Sequence, residues 1–193
     1  MKTLKLWLLV VGMMAAVHLT AANPLKVKSG SLDVLKDEAV AVVEFDHANP
    51  IVDGKELSAK EYYSAKSEEE YQKFVSEMNR GSESFITFFN ENKGKKSPIR
   101  LSLSTEEQEN AKYRLLVKVN RINAGNGGGM VWGMSRKAGG AVLHGEMTFV
   151  DVATGEPVCV IDFADVKGLL NPAFYARIIS AYRYLADYLI KLK

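Results

Sequence analysis

His144, Glu146 and Asp162 come nearest, by type and spacing, to a site that could do chemistry. They sit in two segments, 141–151 and 156–165, where apolar and polar residues alternate as in half-buried strands. The segments are joined by Val152-Ala153-Thr154-Gly155. A two-residue loop would flip one strand's core face outward. A three-residue loop with Gly155 in the left-handed conformation keeps both faces coherent. That register pairs Phe149 with Cys159, Met147 with Ile161, and Gly145 with Phe163, all six toward one core. Glu146 then lies opposite Asp162, with His144 diagonal to both. Two carboxylates and an imidazole on one face have the donor chemistry for a divalent cation. The same residues also suit a solvated polar face, with Arg114 and Lys118 of the neighbouring strand neutralising the acids.

Nucleophilic chemistry finds less support. Cys159 is the one cysteine of the chain. In this register it points away from His144 and lies roughly 17 Å along the strands from it, so the two cannot pair. Cys159 is expected as a small buried hydrophobe. His47 follows Asp46 at a strand end, where an acid could orient a base, but no nucleophile motif accompanies it and a turn role is expected. Gly-x-Ser-x-Gly, His-Glu-x-x-His and Cys-x-x-Cys are all missing from the sequence. No catalytic residue, metal site or cofactor is therefore assigned.

Residues 124–140, AGNGGGMVWGMSRKAGG, are the oddest stretch. They lack the Gly-Lys-Ser/Thr ending of a phosphate loop, and no Gly-x-Gly-x-x-Gly opens a helix there. Met130, Val131, Trp132 and Met134 are apolar residues set in glycine-rich backbone, with Arg136 and Lys137 beside them. One reading makes Met130, Val131, Trp132, Met134 and Arg136 a tip that docks on a partner. The other folds the cluster back onto its own domain as a long hairpin connection.

The elements that must position these residues are legible along the chain. Lys2 and Lys5, the apolar run 6–17 and the small residues Thr20-Ala21-Ala22 have the layout of a secretory signal, so residues 1–22 are expected to be cleaved. The run is too short for a good membrane span, which needs about 20 residues. No cysteine follows it, so no lipid anchor and no stable span are expected after cleavage. Loss of Lys2 and Lys5 takes the 25 Lys and Arg to 23, equal to the 23 Asp and Glu. A neutral mature chain has no global field to hold nucleic acid. Residues 23–38 read as an exposed lead-in, and 39–193 as a single domain of sufficient size for a core.

Within that domain, AVAVVEF (39–45) is a β-branched run suited to a strand covered on both faces. Asn49-Pro50 and Asp53-Gly54 mark turns. Ser58 with Glu61 fits a capping box for a short helix, and Ser67 with Glu70 one for a long helix ending near Gly94. The long helix carries Tyr71, Phe74, Val75, Met78, Phe85, Phe88 and Phe89 at helical spacing, with Gly81 and Ser82 on that stripe, where they allow close approach or a kink. A short edge strand is expected over 98–103 and a half-buried strand over 112–122. Asn171 and Pro172 are expected to open a last helix. That helix would carry Phe174, Ile178, Ala181, Leu185, Leu189 and Leu192 on its apolar face. Arg177, Ser180, Arg183, Asp187 and Lys191 would face water, and Tyr175, Tyr182, Tyr184 and Tyr188 would flank the stripe with wet hydroxyls. The sum is an α+β, two-layer α/β sandwich: a mixed, largely antiparallel sheet of about five strands, with two long helices packed on one face.

The order of these elements, with the segments AVAVVEFD, YRLLVKVNRINAG and LHGEMTFVDVATGEPV, resembles bacterial envelope domains. They are the amino-terminal domain of TolB, the periplasmic domain of the curli secretion channel and lipoprotein-like relatives. The last segment looks like the strand, Asp-x-x-Thr-Gly turn and strand of such families. The chain departs from the channel-forming ones in lacking a lipidation cysteine and two amphipathic membrane hairpins, so pore formation is not carried over. The resemblance implies a periplasmic or secreted protein. Its role would be non-enzymatic binding or assembly with another envelope protein or surface structure. The alternative is a small-molecule or metal-dependent site, such as a hydrolytic one, on the polar face of the last hairpin.

Overall fold

The computed structural model describes residues 23–94, 97–103, 107, 110–125 and 139–192. The expected signal, residues 1–22, and the expected partner-binding residues Met130, Val131, Trp132, Met134 and Arg136 lie outside them.

One mixed sheet carries the fold. Its strands are β1 (Leu25–Gly30), β2 (Val40–Asp46), β3 (Ile51–Val52), β4 (Leu57–Ser58), β5 (Arg100–Ser102), β6 (Tyr113–Asn123), β7 (Val142–Asp151) and β8 (Pro157–Lys167). The main path runs β1-β8-β7-β6-β2-β5, with β3 paired to β6 and to β4. The pairs β2–β5, β2–β6 and β3–β6 are parallel. β6–β7, β7–β8 and β1–β8 are antiparallel. The sheet has eight strands rather than about five. The difference comes from the two-residue pieces β3 and β4, too short for a periodic signal, and from β1. Residues 23–38 are thus not a bare lead-in. Leu25–Gly30 pairs along β8, and a 3-10 helix (Leu32–Lys36) buries Val34 and Leu35. β1 evaded sequence reading because five of its six residues are not buried. An edge strand shows no apolar alternation, and its lysines are typical protection for such an edge.

The hairpin register follows the apolar pattern. Phe149 faces Cys159, Met147 faces Ile161 and Gly145 faces Phe163. Gly155 has φ 73° and its N–H donates to the Asp151 carbonyl. The Asp151 carboxylate accepts the Ala153 and Thr154 N–H groups and so holds the turn.

Three α-helices complete the chain: α1 (Ala59–Ser64), α2 (Glu68–Asn92) and α3 (Phe174–Lys191). The Ser58–Glu61 capping box is fully formed, and the Ser67 hydroxyl accepts the Glu70 N–H to start α2. α2 and α3 lie against each other, and their apolar stripes join one core with the sheet. Phe74, Met78, Phe85 and Phe89 enter from α2; Ile178, Ala181, Leu185 and Leu189 enter from α3. At Gly81 a Cβ would lie 2.4 Å from the Tyr182 ring, so this position serves close approach of the helices.

Three expectations for α3 need correction. The helix begins at Phe174, behind Ala173, which makes no side-chain cap. Asn171 instead closes a turn before it, its Oδ1 accepting the Ala173 N–H at 2.9 Å. Arg177 and Ser180, expected in water, are buried, and so is Tyr182. Periodicity identifies the apolar stripe, but a helix lying in a groove between a sheet and a second helix buries a wider arc than that stripe.

Tyr182 explains the fate of His47. The imidazole is buried beneath Phe45, with Nδ1 2.6 Å from the Tyr182 hydroxyl and Nε2 3.0 Å from Asn79 Oδ1. With Asn79 Oδ1 as acceptor, the proton is assigned to Nε2, and Nδ1 accepts from Tyr182. His47 is therefore a core linchpin and not a turn residue. Burial lowers its pKa, opposed by the Asn79 bond and the Asp46 charge. A depressed histidine pKa adds stability that is complete above the unfolded value, near 6.5, and is lost as pH falls below it. The melting temperature is expected to fall as pH drops below about 6.5. In H47Q that part of the fall should vanish, as followed by scanning calorimetry. An unchanged pH profile in H47Q would exclude His47 as its source.

Candidate functional site

Because β3 and β6 run parallel, their carboxyl ends finish together, Ile51 beside Arg121 and Val52 beside Ile122. In parallel sheets this is the end where ligands are commonly held, since the chain must leave the strands and open a crevice. Here the crevice is a cleft of about 370 Å³. The turn after β3 supplies Asp53 and Lys55, α1 supplies Tyr62 and Tyr63, and Lys66 and Lys73 follow on the next turn and in α2. Asn123, Ala124 and Gly125 at the end of β6, with Phe174 at the start of α3, close it.

The aromatic floor is fixed. The Tyr63 ring stacks on Phe74 at 4.7 Å and meets Phe174 edge-on at 6.4 Å. Burial pushes the Tyr63 hydroxyl up to about 12, so it stays neutral. Tyr62 lies edge-on to Tyr63 at 5.0 Å and remains half-buried. The Lys66 ammonium lies 4.3 Å from the Tyr62 centroid and 5.2 Å from that of Tyr63. Lys55 approaches Tyr62 at 6.0 Å. These are cation–π placements.

Arg177 fastens the same end from beneath. Its Nε donates to the Ala124 carbonyl at 3.0 Å, and its Nη1 to the carbonyls of Asn171 and Pro172 at 2.8 and 2.9 Å. One guanidinium thus ties the exit of β6 to the loop before α3. The described roots of the glycine-rich connection converge here. A Cβ on Gly125 would lie 2.4 Å from the Gly139 carbonyl oxygen, and one on Gly140 1.9 Å from that of Gly168. Side chains at these points would collide with backbone. This accounts for glycine at both roots of the connection without any appeal to an anion.

Beyond Gly168 the loop turns outward. Leu169 and Leu170 are 58% and 57% exposed. The backbone that presents them is held: the Gly168 N–H donates to the Ala141 carbonyl, and the Leu169 N–H to Ser180 Oγ at 2.8 Å. Ser180 in turn donates to the Arg177 carbonyl at 2.9 Å.

The polar face of the last hairpin is arranged differently from the sequence expectation. Glu146 does stand opposite Asp162. Their shared cation is Lys28 of β1, 3.0 Å from Glu146 and 3.3 Å from Asp162. Hydrogen bonding to Glu146, first, and then to Asp162 raises the lysine pKa. Arg114 and Lys118 pair instead with Glu44 and Asp46 on β2. Register shifts on both sides of β7 displace His144, whose Nδ1 accepts the Asp165 N–H at 3.3 Å. Among the described residues there is no group of three or more His, Cys, Asp or Glu placed to hold a metal ion. Cys159 is fully buried, with its thiol pKa raised by burial. Sequence reasoning missed the cleft. Lys55, Tyr62 and Lys66 are ordinary surface types, and only the two-residue strand β3 brings them beside Asn123.

Fold and site define an α+β domain with a lysine- and tyrosine-lined cleft at the end of the sheet where β3 and β6 finish. No protein-family model matches the chain, and no curated protein does. Among solved structures it is similar to the PelC dodecamer from Paraburkholderia phytofirmans, at 15% identity and a TM-score of 0.46, over 88% of this chain and 98% of that one. A single-substitution variant of the same dodecamer is similar at 16% identity and a TM-score of 0.41, over 86% and 96%. No helix among the described residues is long and apolar enough to cross a membrane.

Proposed function

We propose that this chain is exported and serves as a non-enzymatic binding or assembly component of the cell envelope. Its docking surface would be the end of the sheet where the glycine-rich connection leaves. The observation that carries the reading is the Leu169–Leu170 pair. Two adjacent leucines, each more than half exposed, sit on a loop held by backbone and Ser180 hydrogen bonds. Apolar side chains in water on a hydrogen-bonded backbone suit an interface centre, because little backbone ordering entropy remains to be lost on docking. The apolar Met130, Val131, Trp132 and Met134, with Arg136, belong to the connection whose roots pack on this loop. They would extend the same surface.

Two measurements test this reading. The intact mass of the protein from the envelope fraction should correspond to a chain starting at Asn23 without acyl groups. A mass that retains residues 1–22 would overturn export. A photo-crosslinking residue placed at 170 should give a discrete protein adduct in intact cells, whereas one at Glu44 on the charged outer face should not. Adducts at neither position, or equally at both, would remove the docking assignment.

A further inference from the structure

We propose that the lysine–tyrosine cleft at the ends of β3 and β6 binds a small ring-bearing anion, a sugar acid or a sugar phosphate. The first argument is charge left over. On the open face of the sheet three cations have carboxylates: Lys28 with Glu146 and Asp162, Arg114 with Glu44, Lys118 with Asp46. At the cleft, Arg121 takes Asp53 at 3.1 Å, which removes that acid as a partner for the lysines. Lys55, Lys66 and Lys73 then line the cleft with no salt bridge among the described residues. With Asp53 held by Arg121, the three lysines outnumber the one remaining carboxylate of the lining, Glu70, and the crevice keeps a net positive charge that attracts an anion.

The second argument is shape. The volume, about 370 Å³, lies at the small-molecule end of ligand sites, which run ~300–1,000 Å³. Half-buried Tyr62 and Phe174 offer flat apolar faces beside the ammonium groups. A ring could lie on an aromatic face while its acid group meets Lys66. Sugar hydroxyls have partners as well. The Glu70 carboxylate lines the cleft as an acceptor. Asn123 uses its Oδ1 for the Gly125 N–H, which leaves its amide NH2 to donate. The proposal is independent of the docking surface, since none of these residues is Leu169 or Leu170.

The test is calorimetric titration of the mature protein with four probes at low salt. Galacturonate supplies the carboxylate arm and glucose 6-phosphate the phosphate arm. Glucose is the ring without charge, and inorganic phosphate the charge without a ring. At least one ring acid is expected to bind about tenfold or more tightly than either control, and which one binds identifies the acid group. K66Q/K73Q should weaken that binding about tenfold or more with an unchanged melting temperature. Tyr62→Ala should weaken the ring acid but not inorganic phosphate. No ring acid binding below about 10 mM, equal binding of glucose, equal binding of inorganic phosphate, or affinity untouched by K66Q/K73Q would each overturn the proposal.

Discussion

Leu185→Ala is expected to destabilise the protein by about 2–5 kcal/mol, read from the urea midpoint at unchanged slope. The side chain is fully buried on the core-facing stripe of α3, in the cluster shared with Phe149, Met147 and Ile161 of the hairpin. Truncation removes apolar area from that cluster and leaves a cavity. The site has little freedom to collapse, because α3 is held on both sides. Tyr182 is packed against Gly81 of α2, and Arg177 is bonded to the β6 exit. The upper half of the range is therefore expected. Leu192→Ala, at a half-buried position past the helix end, is the matched control and should cost less than half as much. A Leu185→Ala change within about 0.5 kcal/mol, the usual surface value, would show that α3 does not pack on the hairpin.

What the sequence disclosed, and what it hid, follows from the range of each signal. The Phe149–Cys159 register was legible because a period of two and one turn glycine leave a single coherent core face. The capping boxes were legible because their partners are three residues apart. β1 was not, since an exposed edge strand pairs through backbone alone. The buried places of His47, Arg177 and Tyr182 were hidden for another reason. Each polar group is satisfied by a partner far along the chain: Tyr182 for His47, Ala124 for Arg177. Polar residues with such partners look like surface residues in one dimension. The ion pairs were misassigned for the same reason, because Lys28 lies on the strand that pattern could not reveal. The cleft needs three separate segments to meet, and no local pattern encodes that meeting.

Arg177→Met is expected to cost about 3 kcal/mol and to loosen one end of the molecule selectively. Methionine keeps much of the aliphatic volume, so the loss is that of the guanidinium, including its approach to the Phe174 ring at 5.8 Å. Three carbonyls, those of Ala124, Asn171 and Pro172, lose a charged donor. Each such bond is worth about 1.5–3 kcal/mol where water cannot replace it. These carbonyls belong to half-exposed or exposed residues, so water recovers part of the loss and the total falls below the ~4.5 kcal/mol that three such bonds would sum to at the lower bound. Arg177→Lys should restore only part of it, because one ammonium cannot reach from Ala124 to Asn171 with the fork that Nε and Nη1 provide. Hydrogen exchange distinguishes a local tie from a general core contribution. In Arg177→Met, amides at 123–125, 140–143 and 168–174 should exchange faster, while those pairing β1 with β8 keep their protection. Uniform acceleration across the sheet would mean that Arg177 supports the whole domain. The local outcome would make one buried arginine the element that holds the Leu169–Leu170 loop and the cleft wall at Ala124 in fixed relation.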